Sequence, residues 1–194
     1  MLNGLLLVVG VISAAVGWIF IYPASPTDPV AQQAKDIMSN SGAAQAGMML
    51  GFGGMFLAFI GLINLARSTG SAIGNIAAIG FMALLTFTTL GFGYEWAVSE
   101  TSNAAAATSL MVVSLAWNNS LMFFGGISFT LLGLALLFGS NINRIGAVIP
   151  VVIGVLLIIA LFAGGAVEDT AWMVFFVGIL IVGITATLQD ESVV

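Results

Sequence analysis

The chain alternates between long apolar runs and short polar stretches. A helix that crosses the hydrocarbon of a bilayer needs about 20 apolar residues, because each residue advances it by about 1.5 Å. Six runs reach that length, so the sequence predicts six transmembrane helices. The runs lie at about 2–22, 47–66, 72–94, 121–139, 145–163 and 171–188. The first has no basic residues ahead of it and is too long for a signal peptide, so we expect it to be retained.

The few charged residues and the aromatic residues at the ends of the runs predict an orientation. With six crossings, Arg67 and Arg144 fall on the side of both termini, whereas Lys35 falls on the opposite side. Cytoplasmic loops carry the excess of Lys and Arg, so we expect both termini in the cytoplasm of a prokaryotic cell. Trp and Tyr mark membrane interfaces and gather on the face without the Arg residues, which we call the outer face. They are Trp18, Tyr22, Tyr94, Trp96, Trp117 and Trp172.

Two outer segments predict helices that do not cross the membrane. In the segment 23–45, Asp28 and Pro29 favour a helix start, and the apolar residues that follow share one face. The segment 104–117 is apolar but too short to span. Either it runs on into the fourth span as one long helix, or a break separates the two. Together the two outer helices would cover the bundle.

An internal repeat relates two helical hairpins. Residues 52–74 match residues 124–146 without a gap at nine of 23 positions, which predicts equivalent units at about 47–96 and 119–165. Units two crossings apart point the same way, so the sequence predicts a pseudo-two-fold axis along the membrane normal. The shared glycines lie seven residues apart, on one face of each helix, where small residues let helices approach closely. These packing glycines are Gly54, Gly61, Gly126 and Gly133.

These features combine into one fold prediction for residues 1–194. It is a single all-α domain, a polytopic membrane helical bundle with six transmembrane helices, two short outer helices and a hairpin repeat. The stretches GFGGMFLAFIGLINLAR and FFGGISFTLLGLALLFGSNINRIGAVIP also resemble small six-helix bacterial and archaeal membrane proteins of unknown function, the DUF4386 type among them. That resemblance implies the same six-helix architecture and brings no catalytic residues with it.

Composition narrows the chemistry. The chain is 60% hydrophobic and 6% charged, with a mean hydropathy of +1.18, which excludes a water-soluble domain. Without Cys or His it lacks the usual ligands of metals and haem, so we expect no cofactor, no metal site and no enzymatic activity. The formal charge of −5 argues against nucleic acid as a partner.

Glu95 is the main candidate for chemistry. The third span crosses the hydrocarbon within about 20 residues of residue 72, which leaves Glu95 just beyond it. The sequence therefore favours a carboxylate at headgroup level over a buried functional acid, because burying a charge in the bilayer is costly. Polar groups inside the spans and at the start of the fourth span serve either helix packing or a ligand. They are Thr86, Thr89, Asn118, Asn119, Ser128 and Thr130.

Three functional hypotheses stay open. The lack of charge within the spans favours a non-catalytic structural or accessory subunit, with the bilayer and other membrane subunits or further copies of the chain as partners. The alternative is a protein that binds or conducts a neutral or apolar ligand such as a lipid, quinone, carotenoid or gas. The third is a secondary transporter that uses Glu95 as its titratable group.

Overall fold

The computed structural model describes residues 2–139, 144–163 and 165–189, and within them the side chains at 117, 118, 145, 165, 166, 168, 169 and 189 lie outside the description. The described residues contain helices joined by short loops, and no strand. The helices are α1 (Leu2–Ala15, continued by a π-helix at Val16–Ile21), α2 (Val30–Ser39), α3 (Ser41–Ser68), α4 (Ala72–Glu100), α5 (Ala104–Gly139), α6 (Arg144–Ala163) and α7 (Gly165–Gln189).

Six of these helices are long and apolar enough to cross a membrane, counted within the described residues, and this part of the fold prediction is confirmed. The helices run past the apolar stretches that predicted them: α3 begins at Ser41 and α4 continues to Glu100. Hydropathy marks where apolar residues end, whereas a helix continues for as long as its backbone hydrogen bonds do. Helix ends are therefore the part that hydropathy predicts least well.

The second predicted outer helix, at 104–117, is not a separate element. Helix α5 is continuous over 36 residues and includes both this segment and the fourth span. No Gly or Pro interrupts residues 104–124, so the backbone has no reason to break there. At 1.5 Å per residue α5 is about 54 Å long, far more than the roughly 30 Å of hydrocarbon.

The spanning helices form a closed ring. Each packs against two neighbours in the order α1, α3, α4, α5, α6, α7 and back to α1. Helix α2 lies across one end of this ring, against α3, α4 and α5. Its buried residues Ala34 and Ile37 join an apolar cluster with Met48, Val98 and Met111. The amphipathic pattern of the segment 23–45 thus corresponds to a real helix, whose apolar face packs on the bundle.

Glycines permit the closest approaches in the ring. A Cβ atom added at Gly10 would lie 2.6 Å from the carbonyl oxygen of Gly54, where α1 meets α3. One added at Gly133 would lie 2.9 Å from the carbonyl oxygen of Ala147, where α5 meets α6. The glycines of the proposed repeat therefore face different neighbours. Gly54 of α3 faces α1, the spanning helix before it, whereas Gly133 of α5 faces α6, the spanning helix after it. The pseudo-two-fold repeat is not confirmed.

Three phenylalanines form the centre of the bundle. Phe129 of α5 makes edge-to-face contacts with Phe81 of α4 at 5.0 Å and with Phe175 of α7 at 5.5 Å, measured between ring centroids. All three rings are buried. Leucines such as Leu62 and Leu132 extend this core toward the end that holds residue 2 and residue 189. That half of the bundle is densely packed, whereas the other half contains a cavity.

Candidate functional site

A cavity of about 750 Å³ lies inside the end of the ring that α2 covers. Phe175 and Phe59 lie at its inner end, and the segment 23–26 together with α2 lines its opposite end. Aromatic side chains make up much of the wall, and the polar side chains number six among the described lining residues. The Trp and Phe residues are Trp18, Phe52, Phe59, Phe87, Trp172, Phe175 and Phe176; the polar residues are Tyr22, Ser25, Gln33, Thr88, Glu95 and Ser114.

Glu95 joins three segments of the chain at this cavity. The hydroxyl of Tyr22 donates a hydrogen bond of 2.6 Å to its Oε2 atom, and the hydroxyl of Ser114 donates one of 3.0 Å to its Oε1 atom. Tyr22 follows the first span, Ser114 lies in α5, and they are 73 and 19 residues from Glu95 along the chain. Hydrogen bonds contribute about 0.5–1.5 kcal/mol each, or about 1.5–3 kcal/mol where the acceptor is ionised, so this cluster ties the three segments together.

The local structure of α1 explains how Tyr22 reaches the cavity. The last turn of α1 is a π-helix, and the amide of Tyr22 donates to the carbonyl oxygen of Gly17, five residues earlier, at 2.9 Å. Tyr22 then turns to an extended conformation with ψ 128°, as expected for a residue that precedes a proline. The wider π turn places Trp18, Ile19 and Tyr22 in the cavity wall. Such turns occur often at functional sites.

The cavity reaches the surface beside the π-helix that continues α1 and beside α7. Ile19 of α1 and Met173 of α7 both line it, although 71% and 62% of their surfaces are exposed. At their opposite ends these helices are in tight contact, since a Cβ atom added at Gly183 would lie 2.8 Å from the Cβ of Leu7. At the cavity they are joined by the edge-to-face contact of Trp18 with Phe176, whose ring centroids are 6.1 Å apart. Ile19 and Met173 face the apolar surface of the bundle, where lipid chains would lie.

Glu95 is the site residue for which sequence and structure differ most. The sequence favoured an isolated carboxylate at headgroup level, marking the end of a span. In the structure Glu95 is partly buried, lies more than one turn before the end of α4, and lines the cavity with two hydroxyl donors. The physical reason is that α4 runs beyond its apolar stretch and α5 extends alongside it, so protein surrounds the carboxylate where the sequence predicted headgroups.

The predicted hydroxyl and amide residues do not join Glu95. Each hydroxyl bonds to its own helix, as Ser and Thr do when they have no outside partner. Thr86 donates to the Met82 carbonyl, Thr89 to Leu85, Ser128 to Phe124 and Thr130 to Gly126, at 3.1, 2.9, 2.6 and 2.8 Å. Neither these residues nor Asn119, which is exposed, line the cavity, and the side chain of Asn118 lies outside the described residues.

Sequence reasoning missed Tyr22 and Ser114 as site residues. Tyr22 was interpreted only as an interfacial anchor, and Ser114 lies in a segment that was not expected to face a transmembrane cavity. A carboxylate flanked by aromatic residues at the end of an apolar run was the one available signal, and it indicated Glu95 alone. Pairing it with Tyr22 requires the ring order of the helices.

Comparison of the chain with models of protein families, with curated proteins and with solved structures finds no match. The chemistry of the site therefore has to be read from its own geometry. Within the described residues, no group of three or more His, Cys, Asp or Glu side chains is arranged to hold a metal ion. What the site presents is an aromatic-walled space with one acidic group that accepts hydrogen bonds from two hydroxyls.

Proposed function

We propose that the protein binds an amphiphilic, lipid-like molecule in the cavity beside Glu95. The observation that carries this proposal is the combination of an aromatic wall with a single polar cluster in a space of about 750 Å³. Sites for small molecules typically measure about 300–1,000 Å³ and combine apolar walls with a few polar groups that orient the ligand. An amphiphile matches both parts of this cavity.

The opening at the apolar surface supports a ligand that comes from the membrane. A lipid-like molecule enters beside Ile19 and Met173 without leaving an apolar environment. Its tail lies against aromatic residues such as Trp18 and Phe176, which contact each other edge to face with 6.1 Å between ring centroids. Its polar end lies at Glu95. If both termini are cytoplasmic, as the Arg residues predict, this ligand comes from the outer leaflet.

A pair of glycine substitutions tests the proposal. Gly91 lines the cavity, and a Cβ atom added there would meet only the ring of Phe52, at 3.6 Å or more, which is ordinary contact. Gly91→Leu therefore starts without a clash and places its remaining atoms in part of the cavity. Gly93 lies on the same helix with nothing within 4 Å of an added Cβ, so Gly93→Leu is the matched control.

The measurement is native mass spectrometry of each variant extracted in its own membrane lipids. We expect an amphiphile bound to the wild type and to Gly93→Leu, and at least tenfold less of it on Gly91→Leu, because the side chain occupies its volume. Equal amounts on both variants would show that bound lipid lies elsewhere on the surface. A wild type that carries no amphiphile at all would contradict the proposal outright.

We further propose that the protein is non-catalytic and lies in a prokaryotic cytoplasmic membrane. An accessory role in a larger membrane complex, which the lack of charge within the spans favours, is compatible with a bound amphiphile. Cross-linking in native membranes tests that role. Recovery of the chain by itself, without a partner, would count against it and would leave amphiphile binding unaffected.

A further inference from the structure

Glu95 is the only charged residue among the described residues that line the cavity. Neither Lys nor Arg is among them, so the wall of the cavity supplies no cation to balance the carboxylate. A carboxylate that is partly removed from water is costly to keep ionised, so it either holds a proton or gains a cationic partner. The two hydroxyls that donate to Glu95 solvate the ionised form but bring no positive charge.

The carboxylate also retains capacity to accept hydrogen bonds. An ionised carboxylate has about four acceptor positions, and here each oxygen accepts one bond, from Tyr22 or from Ser114. The protons of both hydroxyls are already used. The polar cluster therefore offers acceptors rather than donors, and a matching ligand has to bring the donors itself.

We infer that the ligand carries a cationic amine headgroup, which binds the Glu95 carboxylate while its tail fills the aromatic part of the cavity. This inference rests on the proposed function and specifies the ligand class. An ammonium group brings both the missing charge and the missing donors, and charge-assisted hydrogen bonds are about twice as strong as neutral ones. The aromatic wall, including Trp18 and Trp172, is compatible with a cation because ring faces attract positive charge.

Other headgroups fit less well. A fatty acid or a phosphate brings a second negative charge to a site without a cation, and like charges brought close together repel. An alcohol supplies one donor but leaves the charge unbalanced. A quinone brings only acceptors, and the hydroxyl protons of Tyr22 and Ser114 are already donated to Glu95. The order of affinity expected from the geometry is amine, then alcohol, then acid.

Three probes with the same tail test this order. Purified protein in phosphatidylcholine nanodiscs is titrated with hexadecylamine, hexadecanol and hexadecanoic acid, and bound probe is measured by native mass spectrometry. We expect the amine to bind the wild type at least tenfold more tightly than the alcohol. Glu95→Gln should reduce this preference to threefold or less. Glu100→Gln, the same change at an exposed residue on the same helix, should keep it.

The outcomes separate this inference from the proposed function. If the alcohol binds as tightly as the amine, and Gly91→Leu abolishes both, the cavity binds amphiphiles but does not select amines, and the inference is wrong. If none of the three probes binds and Gly91→Leu leaves native lipid unchanged, the proposed function is wrong. If Glu95→Gln binds none of the probes, the same titration is made with Tyr22→Phe, which keeps the carboxylate. A retained preference for the amine then supports the inference, and a lost preference overturns it.

Discussion

The contact between α1 and α3 gives the sharpest test of the fold. A Cβ atom added at Gly54 would lie 2.5 Å from the backbone nitrogen of Ala14 and 3.0 Å from its Cα atom. Gly54→Ala therefore forces the backbone of one helix away from the other. The neighbouring residue, Gly53, has nothing within 4 Å of an added Cβ, so Gly53→Ala makes the same chemical change on the same helix without a clash.

The expected magnitude follows from these distances. Ordinary Cβ contacts begin at about 3.4 Å, so the helices must separate by about 0.9 Å at Gly54. Overpacking of this kind costs about 1–3 kcal/mol, while Ala gains about 0.5–1 kcal/mol over Gly inside a helix. We expect Gly54→Ala to lower the free energy of unfolding by about 1–2 kcal/mol, and Gly53→Ala to raise it slightly.

The assay is reversible unfolding in mixed micelles of a mild detergent and sodium dodecyl sulfate, followed by far-ultraviolet circular dichroism. The two variants should unfold at clearly different fractions of dodecyl sulfate, with the wild type between them or level with Gly53→Ala. Because helices associate in membranes through close packing rather than through the hydrophobic effect, the contact has no substitute. Equal unfolding midpoints for the two variants would refute the close approach of α1 and α3 at Gly54.

Two further predictions concern the cavity and the core. Tyr22→Phe removes the shorter hydrogen bond to Glu95 and should lower the free energy of unfolding by about 1.5–3 kcal/mol in the same assay. A loss below about 0.5 kcal/mol would mean that this bond does not hold α1 to α4. Phe129→Ala removes the ring between Phe81 and Phe175 and should lower the free energy of unfolding by about 2 kcal/mol. In a bilayer this loss comes mainly from the void that the ring leaves, because the ring is not transferred from water when the helices associate. Phe162→Ala, at a residue 83% exposed, is its control and should change little.

The sequence by itself determined the class of this protein and the number of its long helices. Apolar length is a local property, because each stretch has to satisfy its own backbone hydrogen bonds in lipid whatever its neighbours do. Helix-start residues and a shared apolar face predicted a helix within the segment 23–45, and a seven-residue spacing indicated glycines where helices approach. It left open whether α5 was one helix or two, because no local signal marks the junction at Asn119 and Ser120.

Only the tertiary structure decided which residues meet at the cavity. In a soluble protein, apolar residues face inward, but in a membrane bundle both the lipid face and the interior are apolar, so hydropathy carries little information about helix rotation. The sequence therefore indicated the hydroxyls of Thr86 and Thr89 and not that of Ser114, although of the three only Ser114 contacts Glu95. The ring order and the π turn that brings in Tyr22 depend on packing between distant segments, which no single apolar run records.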